Sequence, residues 1–327
     1  MPGIVAAPSP HRLADFAIAR PSVCGYTPPS CAVGTANVKE RAVARGAVRV
    51  GLGALAGLGL LVTATGCTPA RSTYVTRERL EAGLVVTLDG VGGLNWGPRW
   101  LRSGLDAAGV GAAIIIYDWS KGPGGMFVGD LVDEARNRAA AGDLGRLVAT
   151  YVSAMPNRPV TLIGHSGGAA VVVWALETLP EGCQVERAIL LAPALAPEYD
   201  LSPALGAVRH RMYVMYSKAD VGLMAAGTAV FGTMDRHHSV SAGFSGFTLP
   251  SAPAEEAQYL KVRQVPWTMG LVKSGHLGGH MGWTTTRFAR DFLGPILVGE
   301  SDPGRPMLVR GPVKPPAEAK GAATPSD

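Results

Sequence analysis

The sequence is poor in cysteine, and the few it has are badly placed for bridging. Cys24, Cys31 and Cys67 stand in the first 67 positions, which leaves Cys183 alone in the remainder, so no disulfide can close within the body of the protein. No C-x-x-C pair and no His/Cys spacing of the zinc type occurs, so no zinc site is expected, and no other metal or organic cofactor is called for. Charge is also scarce, at 17% of residues. The formal surplus of +5 belongs mainly to residues 1–66, where Arg12, Arg20, Lys39, Arg41, Arg45 and Arg49 face only Asp15 and Glu40. Beyond residue 66 acids and bases nearly cancel and are interspersed, which removes the electrostatic basis for a nucleic-acid partner. There are no internal repeats, and no obligate protein partner is evident. What remains is ample apolar material: 47% of the 327 residues are hydrophobic, enough for one large domain or two small ones.

The first 66 residues have the grammar of an export signal. Arg41, Arg45 and Arg49 precede a charge-free run, "VGLGALAGLGLLVTAT", that ends at Gly66-Cys67. The run is 16 residues long and rich in glycine, short of the roughly 20 that span a bilayer comfortably. A basic region, a short apolar stretch and small residues before a cut describe a secretory signal. "ATGC" resembles a bacterial lipobox, with Ala64 where leucine is commoner. That resemblance implies cleavage before Cys67, lipidation of its thiol, and an exported protein held in the cell envelope on a membrane. The other reading of the run is a buried, glycine-rich helix. Residues 1–37 fit no part of a signal, and translation is expected to start further in, near Val38 or Val43.

Residues 67–80 read as a polar tether, residues 81–297 as the folded domain, and residues 298–327, rich in Pro, Ala, Lys and Gly, as a disordered tail. Within the domain, apolar strands alternate with helices. Strands are expected at 84–90, 112–119, 160–164, 185–194, 211–217 and 258–265; helices at 95–109, at 129–155 with a break near Gly142, from Gly167 to Leu179, and at 284–297 with Thr284 or Thr285 as N-cap. This alternation predicts an α/β protein with a mostly parallel central sheet and helices on both faces.

The stretch "PVTLIGHSGGAAVVVWALETLP" (159–180) sets one serine between glycines at the join of a strand and a helix. A tight strand-to-helix turn projects a hydroxyl outward and aims free backbone N–H groups at developing negative charge. Gly164 and Gly168 permit the close approach such a turn requires. "GHSGG" in this setting resembles the nucleophile elbow of the α/β-hydrolase fold, with Ser166 as nucleophile. The resemblance implies that Gly167 supplies one oxyanion N–H. The loop "LDGVGG" (88–93) is similar to the family's His-Gly-x segment, with Asp89 in the histidine's place, and Val91 would supply the second. As a phosphate-cradling loop it lacks both the G-x-G-x-x-G spacing and the P-loop lysine.

The family order is Ser, then acid, then His. Asp220, just past the fifth strand, is the favoured acid, with Asp235 as alternative. His280, in "GGHMGW" ahead of the last helix, is the favoured base, with His276 as alternative; His237 and His238 are expected in an exposed loop. The implied chemistry is hydrolysis of carboxylic esters, esterase- or lipase-like, on a small-molecule or lipid substrate, through an acyl-enzyme. The competing reading is a catalytically silent binding or scaffold lipoprotein of the same fold. Only 16 residues, 195–210, separate the fourth and fifth strands, so little or no cap domain is expected. Phe231, Phe244 and Phe247 could wall the cleft or pack the core, and Trp96 and Trp100 could line an acyl pocket or the core.

Overall fold

The computed structural model describes residues 73–120, 122, 127–221 and 232–307. The expected export signal, Cys67, Phe231 and the last 20 residues therefore lie outside the described residues.

Seven strands form one sheet: β1 (Leu84–Leu88), β2 (Ala113–Ile116), β3 (Val160–His165), β4 (Val185–Leu191), β5 (Val208–Tyr216), β6 (Val262–Pro266) and β7 (Arg305–Pro306), in the spatial order β2-β1-β3-β4-β5-β6-β7. All neighbours are parallel except β6 and β7. Parallel strands need covered faces, and the strand sequences answer that need with apolar residues on both sides. In β1, Leu84, Val86 and Leu88 enter one core while Val85 enters the other. In β4, Ala188 and Leu190 face the first core, Ile189 and Leu191 the second. The period-2 alternation thus builds two cores rather than one core and one wet face.

Helix α1 (Arg77–Ala82) is capped by the Thr76 hydroxyl. Helix α2 (Trp96–Ala107) and the last helical segment cover the second core through Leu101, Leu105, Phe288 and Leu293. Helices α3 (Phe127–Val132), α4 (Glu134–Ala154) and α5 (Gly167–Glu177) lie on the other side. Every residue from Gly167 to Leu176 is buried, as the unbroken apolar sequence of this helix requires.

Several expected boundaries move. The break anticipated near Gly142 is absent, because α4 runs unbroken through it; the interruption falls at Asp133, whose carboxylate accepts from Arg136 N and caps α4. Residues 256–261 form a 3-10 helix ahead of β6 rather than its first half. The final helix is not uniform: Thr285 caps a short α turn, and a π turn at Ala289–Leu293 precedes Gly294–Leu297. The folded domain continues past 297 to Met307, which is buried; β7 adds an antiparallel edge to β6. This edge strand is two residues long, too short for a periodic pattern to show in sequence.

Between β4 and β5 the chain carries only α6 (Ser202–Gly206), so no cap stands there. A further short helix, α7 (Ala242–Ser245), follows β5.

Candidate active site

The strand order places a crevice at one point. From β1 the chain crosses to β2 on one side, then returns past β1 to β3 on the other. The connections leaving β1 and β3 therefore diverge, and open α/β sheets bind ligands at such a switch point. The two glycine-rich segments, 89–93 after β1 and 164–168 around the end of β3, meet here.

Ser166 occupies the turn between β3 and α5 with φ 54° and ψ −119°. Non-glycine residues avoid this backbone region at a cost of about 1–3 kcal/mol, so the surrounding structure must impose it. Ser166 N donates to Leu191 O at 2.8 Å, and Ser166 O accepts from Ala169 N at 3.1 Å and Ala194 N at 3.2 Å. A β-carbon on Gly164 would strike Gly168 O and Ala169 Cα, which is the strand–helix approach anticipated from sequence. A β-carbon on Gly168 would instead strike the carbonyl of Asp89. The second glycine thus serves contact with the loop after β1.

That loop presents one free donor between two occupied ones. Gly90 N donates to Asp89 Oδ1 at 2.9 Å and Gly92 N to Asp130 Oδ2 at 3.0 Å. Val91 N, between them, has no partner among the described residues, and neither has Gly167 N at the first position of α5. The two residues are close: a β-carbon on Gly167 would stand 3.0 Å from Val91 Cγ1.

On the far side of the sheet centre, His280 Nδ1 donates to Asp220 Oδ2 at 2.7 Å. Asp220 follows β5 and is buried; His280 opens a 3-10 helix, His280–Thr284. Ser217 ties the two loops together, its hydroxyl donating to Gly278 O at 2.7 Å. His165, the residue before the serine, holds the other flank: its Nε2–H donates to His280 O at 3.2 Å, and the two imidazole centroids are 4.5 Å apart. A point above Gly90 lies 3.6 Å from both His165 Nδ1 and Ser166 Oγ. No hydrogen bond joins Ser166 Oγ to His280 Nε2 in this structure, a contact that commonly tightens only when substrate is present. Burial, and then the neighbouring His165, push the His280 pKa below the ordinary histidine value against the opposing pull of Asp220. The ring is therefore neutral at pH 7, with Nδ1 carrying the proton and Nε2 free to accept one.

The alternatives fall elsewhere. His276 is fully buried against Trp283, Trp267 and Phe288, and burial pushes its pKa down to about 4. Its Nδ1 accepts from Gly278 N at 2.9 Å, so it braces the turn that carries His280. Asp235 accepts from Ala196 N at 3.0 Å and lies 3.9 Å from His237, away from both imidazoles of the site. His237 and His238 are exposed. Phe247 is core and Phe244 packs against the second core, so neither is a wall. Trp96 and Trp100 are neither core nor enclosed: they are 56% and 42% exposed, at the start of α2 beside the loop after β1.

Trp119, Asp130, Arg136, His165 and Ser217 were not singled out from the sequence as part of the site. Trp119 and Ser217 carried a hint, since each closes an expected strand at its carboxyl end, and His165 lies within the elbow motif itself. Among the described residues no group of three or more His, Cys, Asp or Glu is placed to hold a metal ion, and no helix is long and apolar enough to cross a membrane.

The hydrolase family described as serine aminopeptidase, S33, matches residues 105–241. Among solved structures, the chain is similar to a dienelactone hydrolase-like promiscuous phosphotriesterase from metagenomic libraries (15% identity, 66% of this chain and 86% of that one, TM-score 0.41). It is also similar to Aspergillus fumigatus lipase B (14% identity, 73% and 57%, TM-score 0.44) and to Trichoderma reesei cutinase in complex with a phosphonate inhibitor (13%, 67% and 75%, TM-score 0.35). No curated protein matches the sequence. The seven-stranded, mostly parallel sheet with helices on both faces has the architecture of the α/β-hydrolase fold, and the family match lies within it.

Proposed function

We propose that this hydrolase cleaves carboxylic esters through a Ser166–His280–Asp220 triad and an acyl-enzyme. The observation that carries the reading is the 2.7 Å bond from His280 to Asp220 at the same crevice as a strained, buried Ser166. A serine hydroxyl is a poor nucleophile until a base removes its proton. His280 Nε2 takes that proton as Ser166 Oγ attacks the ester carbonyl. Asp220 keeps the ring in the Nδ1–H tautomer and stabilises the imidazolium that forms. The carbonyl oxygen, now an oxyanion, receives N–H bonds from Val91 and Gly167. Collapse of the tetrahedral species breaks the C–O bond, and His280 returns the proton to the departing alcohol. Water then repeats the sequence on the acyl-enzyme, releasing the acid and restoring Ser166. Losing one oxyanion donor typically costs about 3–4 kcal/mol of transition-state stabilisation.

Leu94, Trp96 and Trp100 follow the oxyanion loop, Met281 follows the base, and all four are exposed. Apolar side chains beside the crevice favour an ester with an apolar acyl or alcohol part. The same proposal includes the membrane: residues 41–67 support an exported form anchored by lipid on Cys67.

A fluorophosphonate probe tests the chemistry. The expected result is labelling of the wild type and none of Ser166→Ala; a well-folded protein that takes no label would make it a silent member of the fold. A panel of p-nitrophenyl esters of rising chain length beside aminoacyl p-nitroanilides separates ester from aminopeptide cleavage. Labelling of the expressed protein with a fatty-acid analogue, lost in Cys67→Ser, tests the anchor.

A further inference from the structure

We infer that Asp130, Arg136 and Trp119 form a brace that positions the oxyanion donors, setting the separation and direction of Val91 N–H and Gly167 N–H. The inference rests on the proposed role of those two donors.

A two-donor hole works only if both N–H groups converge on one oxygen, and the loop after β1 has little of its own to fix it. It carries four glycines or small apolar residues in a row, Gly90 to Gly93, and Gly92 and Gly93 both have positive φ. Its fixed points come from outside. Asp130, on α3, is completely buried and aims Oδ2 at Gly92 N, 3.0 Å away, immediately after the donor. Trp119 Nε1 donates to Asp89 O at 2.8 Å, two residues before the donor. The same indole reaches the other half of the hole: a β-carbon on Gly167 would stand 3.2 Å from Trp119 Cζ2. Trp119 is thus wedged between the two donor segments, bonded to one and packed on the other.

Arg136 joins the two anchors. Its Nη1 is 2.9 Å from Asp130 Oδ1, and its Nη2 donates to the Trp119 carbonyl at 2.5 Å. Asn137 closes the array, its Nδ2 donating to Asp130 O at 2.6 Å. The arginine has an electrostatic task as well. A bare carboxylate one residue from the hole would oppose the negative charge that develops there, and the guanidinium cancels it locally. A neutral acceptor could hold Gly92 N without a cation. The choice of an ion pair whose carboxylate is fully buried, and so loses its solvation, fits a demand for a fixed orientation.

The test uses the full chain with p-nitrophenyl butyrate, with rates expressed per site titrated by fluorophosphonate. Trp119→Phe and Asp130→Ala are expected to lower kcat about 10–100-fold, less than deletion of a donor. KM should stay within about threefold, because the hole acts in the transition state and not on bound ester. An alkyl boronate, which mimics the tetrahedral species, should weaken by the same factor, while the pH midpoint of the rate, set by His280, stays in place. Arg136→Met should be slower than the Asp130→Asn, Arg136→Met double variant, which carries no uncompensated charge. Unchanged kcat per titrated site in both Trp119→Phe and Asp130→Asn would overturn the brace, as would a loss confined to KM. If Asp130→Ala does not fold, those two more conservative variants decide the matter. Should wild type hydrolyse the ester no faster than Ser166→Ala, the serine reading itself fails first, and the brace falls with it.

Discussion

His280 and Asp220 are 60 positions apart in sequence and 2.7 Å apart in space. Two loops at the carboxyl end of the sheet make that contact, and the Ser217 hydroxyl bonded to Gly278 O keeps them in register. The pair fixes which imidazole nitrogen carries the proton, and the first prediction follows from it. Asp220→Asn should reduce kcat by about 10³–10⁴-fold with a small change in KM, because the amide no longer selects the Nδ1–H tautomer. In the wild type, kcat/KM should rise with pH through a midpoint below the ordinary histidine value and be level at neutrality, since burial and His165 lower the His280 pKa. In Asp220→Asn that midpoint should fall further, as a charge that favours imidazolium is lost. Steady-state kinetics across pH 4–9 would check both statements.

The strain at Ser166 predicts a stability difference between two inactive variants. Ser166→Ala keeps the β-carbon and its strain at φ 54°, ψ −119°, whereas Ser166→Gly removes both. The glycine variant should therefore be more stable than the alanine variant by about 1 kcal/mol, after its larger unfolded-state entropy is counted. Urea unfolding of the two proteins side by side gives the answer.

Gly168 should separate folding from catalysis. A methyl group there meets the backbone carbonyl of Asp89, which can move only by displacing the loop that carries Val91 N. Gly168→Ala is expected to lose more than tenfold in kcat while a substantial folded fraction survives. Gly164→Ala, whose methyl group meets the backbone of α5 itself, should instead fail to accumulate as folded protein. Comparing circular dichroism melts with activity per folded molecule distinguishes the two.

His276 predicts a pH dependence of stability independent of the chemistry. Its pKa is about 4 when folded and near the ordinary value of about 6.5 when unfolded. Between those values the unfolded chain binds more protons, so the contribution of the neutral ring is complete above pH 6.5 and is lost as pH falls toward 4. The stability of the wild type relative to His276→Gln, which retains an acceptor for Gly278 N, should decline over that interval and be flat above it. Chemical denaturation at several pH values would show the difference.

Much of this was open to reading because it is local. The strand β3, the glycines around Ser166 and the helix beyond it are adjacent in sequence, and a strand-to-helix turn of this kind leaves its residue types in order. The apolar alternation of β1 and β4 marked a doubly covered sheet for the same reason. The choice of His280 over His276 depends on how two glycine-rich turns fold, and only the packed structure buries His276 among Trp267, Trp283 and Phe288. Helix α4 ran on through Gly142, where a single glycine costs about 1 kcal/mol and packing supplies more. Trp96 and Trp100 gave an amphipathic spacing and yet remain exposed, because what would cover them is not encoded within their own helix.

By itself the sequence determined the elements and their chemistry: which segments must be buried on both faces, where a hydroxyl is forced outward, and which residues can accept a proton. Those properties depend on neighbours within a few positions along the chain. Tertiary structure alone decided which of these groups meet. It put Asp220 on His280, took His276 into the core, and brought Trp119 and Asp130 onto loop residues 30 and 38 positions before them. Such pairings depend on strand order and on how whole layers pack, and no short window of residues records them.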